Sequence, residues 1–215
     1  MKKKLLSLVL AGAMVASTSV SAFAAANTED VDVQANTPKQ IEVPIQGDIE
    51  ASDGTTVAGS ISVTVPTSAS FRVDKDGNLT SGTMSIVNKG DKAVSVIASK
   101  FIDTNGDKGI NLVKTEDELS DSDRSKVYLK LANGDREIVL TSEANDNNKP
   151  AGKMYDITNP NRAITENDDF VIKDVIAGGT ANLKLEGKGK AYQSGINSEK
   201  AVNDSFRLVL KIKQR

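Results

Sequence analysis

Three amino acids are missing from this sequence of 215 residues: cysteine, histidine and tryptophan. Without cysteine the chain forms no disulfides, so its stability must come from a buried core, from oligomerisation or from another cross-link. Without histidine and cysteine it has no Ser-His-Asp triad, no thiol nucleophile and no histidine-ligated zinc site. A carboxylate pair or a Ser-Lys dyad is the chemistry that remains. We therefore expect a protein that is not an enzyme and has no cofactor.

Aromatic residues are scarce, and long apolar runs are confined to the first residues. Five Phe and three Tyr offer little material for a stacked carbohydrate platform. Met1 to Ala24 has a basic start at Lys2, Lys3 and Lys4, an apolar run LLSLVLAGAMVA and the small-residue cleavage site Ala22-Phe23-Ala24. This pattern predicts a signal peptide over residues 1–24 and a secreted protein, extracellular or at the cell surface.

The remaining 191 residues have no segment apolar for long enough to span a membrane, so we expect no membrane span after cleavage. Loss of the three leader lysines leaves 24 basic against 29 acidic residues, a net charge of −5. That balance argues against a nucleic-acid partner or an anionic membrane surface.

Short alternating segments run through the rest of the chain. GSISVTV, residues 59–65, places Ile61, Val63 and Val65 on one face, and the final segment SFRLVLKIKQR alternates in the same way. Glycine, asparagine and aspartate stand between such segments, and almost no helical pattern is present. The sequence therefore predicts an all-β protein, a single antiparallel β-sandwich that is Ig-like or jelly-roll-like, over residues 55–215.

Several individual elements are predicted within this domain. SGTMSIVNKGDKAVSVIASKF, residues 81–101, is expected to form one hairpin, and the strands on either side of Asn133-Gly134 another. A further strand is expected at Lys190 to Tyr192. Thr115 to Ser125 is expected to be a surface loop, although Thr115 and Glu118 resemble a capping box.

The segment before the domain has two parts. Residues 25–39 are polar and predict a disordered or extended arm. Residues 40–50, QIEVPIQGDIE, have the alternation of a strand, and Pro44 restricts it to a sheet edge. This strand belongs either to its own sandwich or to that of a neighbouring molecule. In the second case it is a donor strand, whose apolar residues are Ile41, Val43, Ile45 and Ile49.

Two clusters of oxygen ligands and one cross-link between side chains are the remaining candidates for special chemistry in this sequence. Asp103, Asn105 and Asp107 alternate like calcium ligands, but Lys108 and Lys114 occupy the glycine and glutamate positions of an EF-hand loop. We expect a solvated turn there, as at Asp74, Asp76 and Asn78, and no metal site. A Lys–Asn isopeptide bond near the last strand would involve Lys211, Lys213 and Asn203, which are otherwise ordinary surface residues.

SISVTVPTSASFRVDKDGN and SGTMSIVNKGDKAVSVIASKF, with the cleaved leader before them, carry a family resemblance. The chain resembles secreted β-sandwich subunits of Gram-positive surface fibres, the biofilm surface-appendage and TasA-like matrix proteins. The likeness covers mainly Gly59 to Phe101 and the overall plan. VTVP also occurs in WxL cell-wall-binding domains, but the absence of tryptophan excludes that family.

The resemblance implies a structural protein that polymerises head-to-tail into pilus-like surface or biofilm-matrix fibres by donor-strand complementation. Its main partner would then be itself. An anchoring surface protein is a further partner, because the sequence has no LPXTG motif for sortase. The alternative is a monomeric adhesion or ligand-binding module of the cell envelope. A third possibility, a carboxylate hydrolase, would require acids such as Asp168, Asp169 and Asp174 to face one another in a cleft.

Overall fold

The computed structural model describes residues 28–35, 39–44, 57–104, 109–145, 150–198, 200 and 202–215. Nearly all of its regular structure is strand. The strands are β1 (Thr28–Ala35), β2 (Lys39–Pro44), β3 (Val57–Pro66), β4 (Phe71–Val73), β5 (Leu79–Ser81), β6 (Thr83–Asn88), β7 (Val94–Asp103), β8 (Asn111–Leu112), β9 (Lys126–Ala132), β10 (Glu137–Thr141), β11 (Lys153–Asp156), β12 (Asn159–Ile164), β13 (Phe170–Val175), β14 (Thr180–Lys188) and β15 (Phe206–Gln214).

The strands form two packed sheets, which confirms the predicted antiparallel β-sandwich. The larger sheet has the order β1-β3-β6-β14-β9-β10-β11-β12, with β8 parallel to the start of β9. The smaller sheet has the order β13-β7-β15-β2, and β4 and β5 form a separate two-stranded ribbon.

The core lies between the two sheets and is built by the alternation seen in the sequence. Ile61, Val63 and Val65 of β3 are at most 1 % exposed. Alternate residues of β15 are buried in the same cluster, and the Phe206 ring stacks on the Phe101 ring of β7 with 5.7 Å between centroids. The two sheets therefore pack with their apolar faces toward each other, because the space between the sheets excludes water from both of these faces.

The predicted hairpin over residues 81–101 is wrong, because its two arms lie in different sheets. β6 pairs with β3 and β14 in the larger sheet, whereas β7 pairs with β13 and β15 in the smaller one. The connection between them is bound to β3 instead, since the backbone N–H groups of Lys89 and Gly90 both donate to the Ser62 carbonyl, at 2.7 and 3.1 Å. The turn therefore takes the chain across the core.

Other expectations had mixed outcomes. The hairpin at Asn133-Gly134 is confirmed, since β9 and β10 pair on either side of it. Lys190 to Tyr192 is not a strand, and β11 and β12 were not foreseen. Within the expected loop Thr115 to Ser125, a short 3₁₀ helix spans Glu116–Glu118, and the backbone N–H of Thr115 donates to the Glu118 carboxylate at 3.0 Å.

The two ends of the sandwich differ. At the Ile176 end, the turn of residues 176–179 joins β13 to β14. At the cleft end, where β14 ends and β9 and β15 begin, a cleft of about 680 Å³ opens beside the ribbon. Its apolar lining residues are Phe71, Val73, Ile110, Val127 and Val202. Because β14 has nine residues, the two ends are about 30 Å apart.

Candidate functional site

The strand predicted as a donor is an edge strand of the smaller sheet. β2 pairs with β15 of the same chain, with Ile41 opposite Leu210, Val43 opposite Leu208 and Pro44 opposite Arg207. Ile45 and Ile49 lie outside the described residues. The structure thus places Ile41 and Val43 next to the final strand, at a sheet edge where Pro44 is tolerated.

A second N-terminal strand lies at the edge of the larger sheet. β1 pairs with β3 over its whole length, from Thr28 opposite Pro66 to Ala35 opposite Val57. Sequence reasoning assigned this segment to a polar arm and did not foresee the pairing. The signal was present in TEDVDV, where Val31 and Val33 alternate with acidic residues.

β1 and β2 are the two N-terminal strands of the described residues. Residues 36–38 separate the two strands, and each strand is the outermost one of a different sheet. Their neighbours within the two sheets are β3 and β15, which contribute many of the most buried side chains of the core. Without the N-terminal strands, β3 and β15 would become sheet edges with unpaired backbone groups, and such edges accept added strands.

The other edge strand of each sheet differs in chemistry. β12 contains Pro160, which cannot donate a ladder hydrogen bond, and its exposed Arg162 pairs with Asp168. β13 carries Lys173, which pairs with Asp135. Proline and charged side chains are common features of edges that resist strand addition. The edges covered by β1 and β2 are therefore the better candidates for contact with another copy.

The link between β12 and β13 is fastened to its surroundings by two acids. Asp168 accepts hydrogen bonds from the hydroxyl of Thr165 at 2.7 Å and from the backbone N–H of Thr165 at 2.6 Å. Asp169 accepts from Lys211 at 2.7 Å and from Lys213 at 3.2 Å. These bonds hold the pKa of each carboxyl below its ordinary value. The largest contribution comes from Thr165 for Asp168 and from Lys211 for Asp169.

Each of the acids named for a hydrolase is therefore engaged by other groups. Asp174 has partners of its own, since it accepts from the Ser95 hydroxyl at 2.6 Å and pairs with Arg215 at 3.0 Å. Lowered pKa values on Asp168 and Asp169 are the reverse of what a general acid needs. The structure gives different surroundings to the residues considered for an isopeptide bond. The amines of Lys211 and Lys213 form ion pairs with Asp169, whereas Asn203 lines the cleft.

The possible calcium ligands are only partly described. Asp103 ends β7, is 3 % exposed and donates its backbone N–H to the Ala151 carbonyl at 2.8 Å. Asn105 and Asp107 lie outside the described residues. In the described ranges, no group of three or more acidic, histidine or cysteine side chains is arranged to hold a metal ion.

The second acidic turn has an internal explanation. The Asp74 carboxylate accepts the backbone N–H groups of Asp76 at 2.8 Å and of Asn78 at 2.9 Å. The bond from Asn78 contributes most to lowering the pKa of Asp74. These bonds within one loop are those of a tight turn.

No family model, curated protein or solved structure matches this chain. Over the part of the chain that the structure describes, no helix has the length and apolarity to cross a membrane.

Proposed function

We propose that this chain is an exported structural protein that assembles head-to-tail into surface or biofilm-matrix fibres. In the fibre, β1 and β2 of one copy pair with β3 and β15 of the next. The observation that carries the proposal is the position of β1 and β2: they are consecutive and N-terminal, three residues apart, and each occupies an outer edge of one of the two sheets.

Such an exchange keeps the pairing that the single chain already has. Each contact between β2 and β15, or between β1 and β3, would form between two copies instead of within one, so the exchange costs little. The main-chain hydrogen bonds would supply affinity, and the alternate side chains would supply specificity.

The connection after β2 is long enough for this exchange. Residues 45–56 lie between β2 and β3. Twelve residues span up to about 40 Å when extended, compared with about 33 Å for the ten residues of β3. A copy can therefore place its N-terminal strands on a neighbour while its own sandwich stays intact. Because the donated and accepting surfaces differ, the contact repeats without closing and forms a filament.

The resemblance of Gly59 to Phe101 to fibre-forming matrix subunits supports the same proposal. The pairing of β2 with β15 of the same chain supports the alternative, a monomeric cell-envelope adhesion or ligand-binding module whose N-terminal strands stay in place. The two functions differ in one measurable property, namely whether β2 pairs within a chain or between chains.

Two single-cysteine variants distinguish these arrangements, because the natural chain has no cysteine. Gln40 and Lys211 are register partners in the β2–β15 pair. We would mix Gln40→Cys with a tagged Lys211→Cys chain, let assembly proceed, oxidise the mixture and analyse it on a non-reducing gel. Pairing between chains predicts a disulfide that joins a tagged to an untagged chain.

The matched control mixes Gln40→Cys with Asn182→Cys, whose cysteine is on the exposed face of β14 far from β2. This mixture should give no more than the random cross-linking of two exposed thiols. Mixed cross-links at that background level for Gln40→Cys and Lys211→Cys would reject the fibre and favour the monomeric module.

A further inference from the structure

The exposed large apolar side chains of the described residues lie at the two ends of the sandwich. Ile176, 73 % exposed, and Ile157, 39 % exposed, follow β13 and β11, which both run toward the Ile176 end. Ile196 and Val202, 55 % and 42 % exposed, lie in the loop at the cleft end. These apolar side chains would be covered if molecules stacked end to end.

Ile176 is presented on a firmly held turn. Its carbonyl accepts the Gly179 N–H at 2.9 Å and the side-chain amide of the fully buried Asn88 at 3.0 Å. The Gly179 carbonyl accepts the backbone N–H of Asn88 at 2.9 Å. Small residues, Ala177 and Gly178, complete the tip, which is therefore narrow. A rigid apolar tip loses little conformational entropy when it binds.

The cleft at the other end has five apolar side chains among polar and charged ones such as Arg72, Lys75 and Arg124. Its volume of about 680 Å³ exceeds that of one isoleucine side chain, so the cleft has room for one. Phe71, Val73 and Ile110 are only partly buried and lie among its lining residues. Val202 is exposed where β15 approaches, and would lose contact with water if an apolar group entered.

The chain connectivity determines which ends would meet. β2 finishes with Pro44 opposite Arg207, at the start of β15 and so at the cleft end. β3 begins with Val57 at the Ile176 end, since residues 62–63 are already level with Asn88 and Lys89 at the end of β6. After exchange, residues 45–56 would join the cleft end of the accepting copy to the Ile176 end of the donating copy.

We propose that Ile176 of the donating copy inserts into the cleft of the accepting copy. This inference rests on the proposed fibre and specifies its second contact, which is separate from the exchanged strands. The partner of the cleft is thus a second copy of this chain, presenting an apolar turn. The linker keeps the two surfaces within about 40 Å, so a contact too small to hold two free molecules together acts here as an intramolecular one.

The first test uses paired cysteines in the full mature chain. In the double variant Ile176→Cys, Val202→Cys, a short bifunctional maleimide added to assembled material should join successive copies into a ladder of trimers and larger oligomers. Each single variant should stop at dimers. Asn182→Cys combined with Val202→Cys is the matched control, because residue 182 lies on a sheet face and should give no ladder.

The second test measures assembly itself. Ile176→Asp should raise the critical concentration for assembly about tenfold or more, because it removes the burial of one isoleucine side chain. Asn182→Asp adds the same charge on a sheet face and should leave that concentration unchanged. Because Ile176 is exposed, its variant should unfold at the temperature of the natural chain.

The outcomes separate the two proposals. A ladder together with a raised critical concentration supports the contact. Normal assembly of Ile176→Asp with no ladder overturns the contact and leaves the fibre standing, including the case in which the cleft takes some other ligand. If the natural mature chain does not assemble at all, the fibre falls and this contact falls with it.

Discussion

The side-chain amide of Asn88 joins two segments that are remote in the sequence. Its nitrogen donates to the carbonyls of Lys92, Ile176 and Val175 at 2.7, 3.0 and 3.3 Å, and its oxygen accepts the Gly90 N–H at 3.0 Å. Because the Asn88 side chain is fully buried, no water molecule would replace it as the hydrogen-bond partner of these groups.

Asn88→Ala should therefore lower the free energy of unfolding by about 2–4 kcal/mol, since it leaves buried carbonyls without donors. Urea unfolding followed by circular dichroism measures this loss. Asn78→Ala is the control, because Asn78 is exposed and its side-chain amide donates to Asp74 of the same turn, and it should cost less than about 1 kcal/mol. Equal losses would show that the amide does not hold the two segments.

At the scale of elements, β14 is the central strand of the larger sheet. Its first half pairs with β6 and its second half with β9, where Gly187 is opposite Leu129. The backbones approach so closely there that a Cβ at Gly187 would be 1.9 Å from the Tyr128 carbonyl oxygen. Only glycine allows this strand pair to keep its register.

Gly187→Ala should therefore destabilise the protein by more than about 3 kcal/mol or prevent folding, because a backbone clash adds to the strain at φ +149°. Gly134→Ala is the matched control. It has φ +87° but no atom within 4 Å of the added Cβ, so strain alone should cost about 1–2 kcal/mol. Urea midpoints of the two variants test the difference, and similar midpoints would contradict it.

The sequence predicts those elements whose apolar period is regular. β3 and β15 alternate over their buried residues, and the β9–β10 hairpin has an Asn-Gly turn, so local pattern was enough. The predicted hairpin of β6 and β7 was wrong because the placement of β7 depends on hydrogen bonds from Asn88 to residues that are 87 and 88 positions away. β12 was not predicted because Asn159 to Arg162 is polar and contains proline.

The candidate site was predicted in part for the same reason. QIEVPIQGDIE has a strand period, and the structure describes its first residues as strand β2. β1 was assigned to a polar arm because acids occupy alternate positions. Its pairing depends on an available edge of β3, which is a property of the assembled sheet and not of the segment.

At the scale of the whole molecule, each of the two packed sheets has one edge supplied by an N-terminal strand of the described residues. A chain starting at Gly47 lacks both β1 and β2, so β3 and β15 become uncovered edges. We expect this shortened chain to stay monomeric in light scattering, to melt at a lower temperature than the mature chain and to bind the missing strands when they are offered separately.

A synthetic peptide of residues 28–44 supplies those strands. It should raise the melting temperature of the shortened chain in proportion to the logarithm of peptide concentration once binding is saturated. A peptide of the same composition in scrambled order should have no effect, because register pairs such as Ile41 with Leu210 would be lost. A shortened chain that melts like the mature one and ignores the peptide would show that the edges need no cover.

The antiparallel registers of β1 with β3 and of β2 with β15 also determine how a fibre would respond to pulling. Tension directed along these strands would load both strand pairs in shear. Eight register pairs in one sheet and six in the other would then be sheared together instead of opening one after another. Resistance to stretching would thus arise from backbone hydrogen bonds, in a chain without cysteine for covalent cross-links.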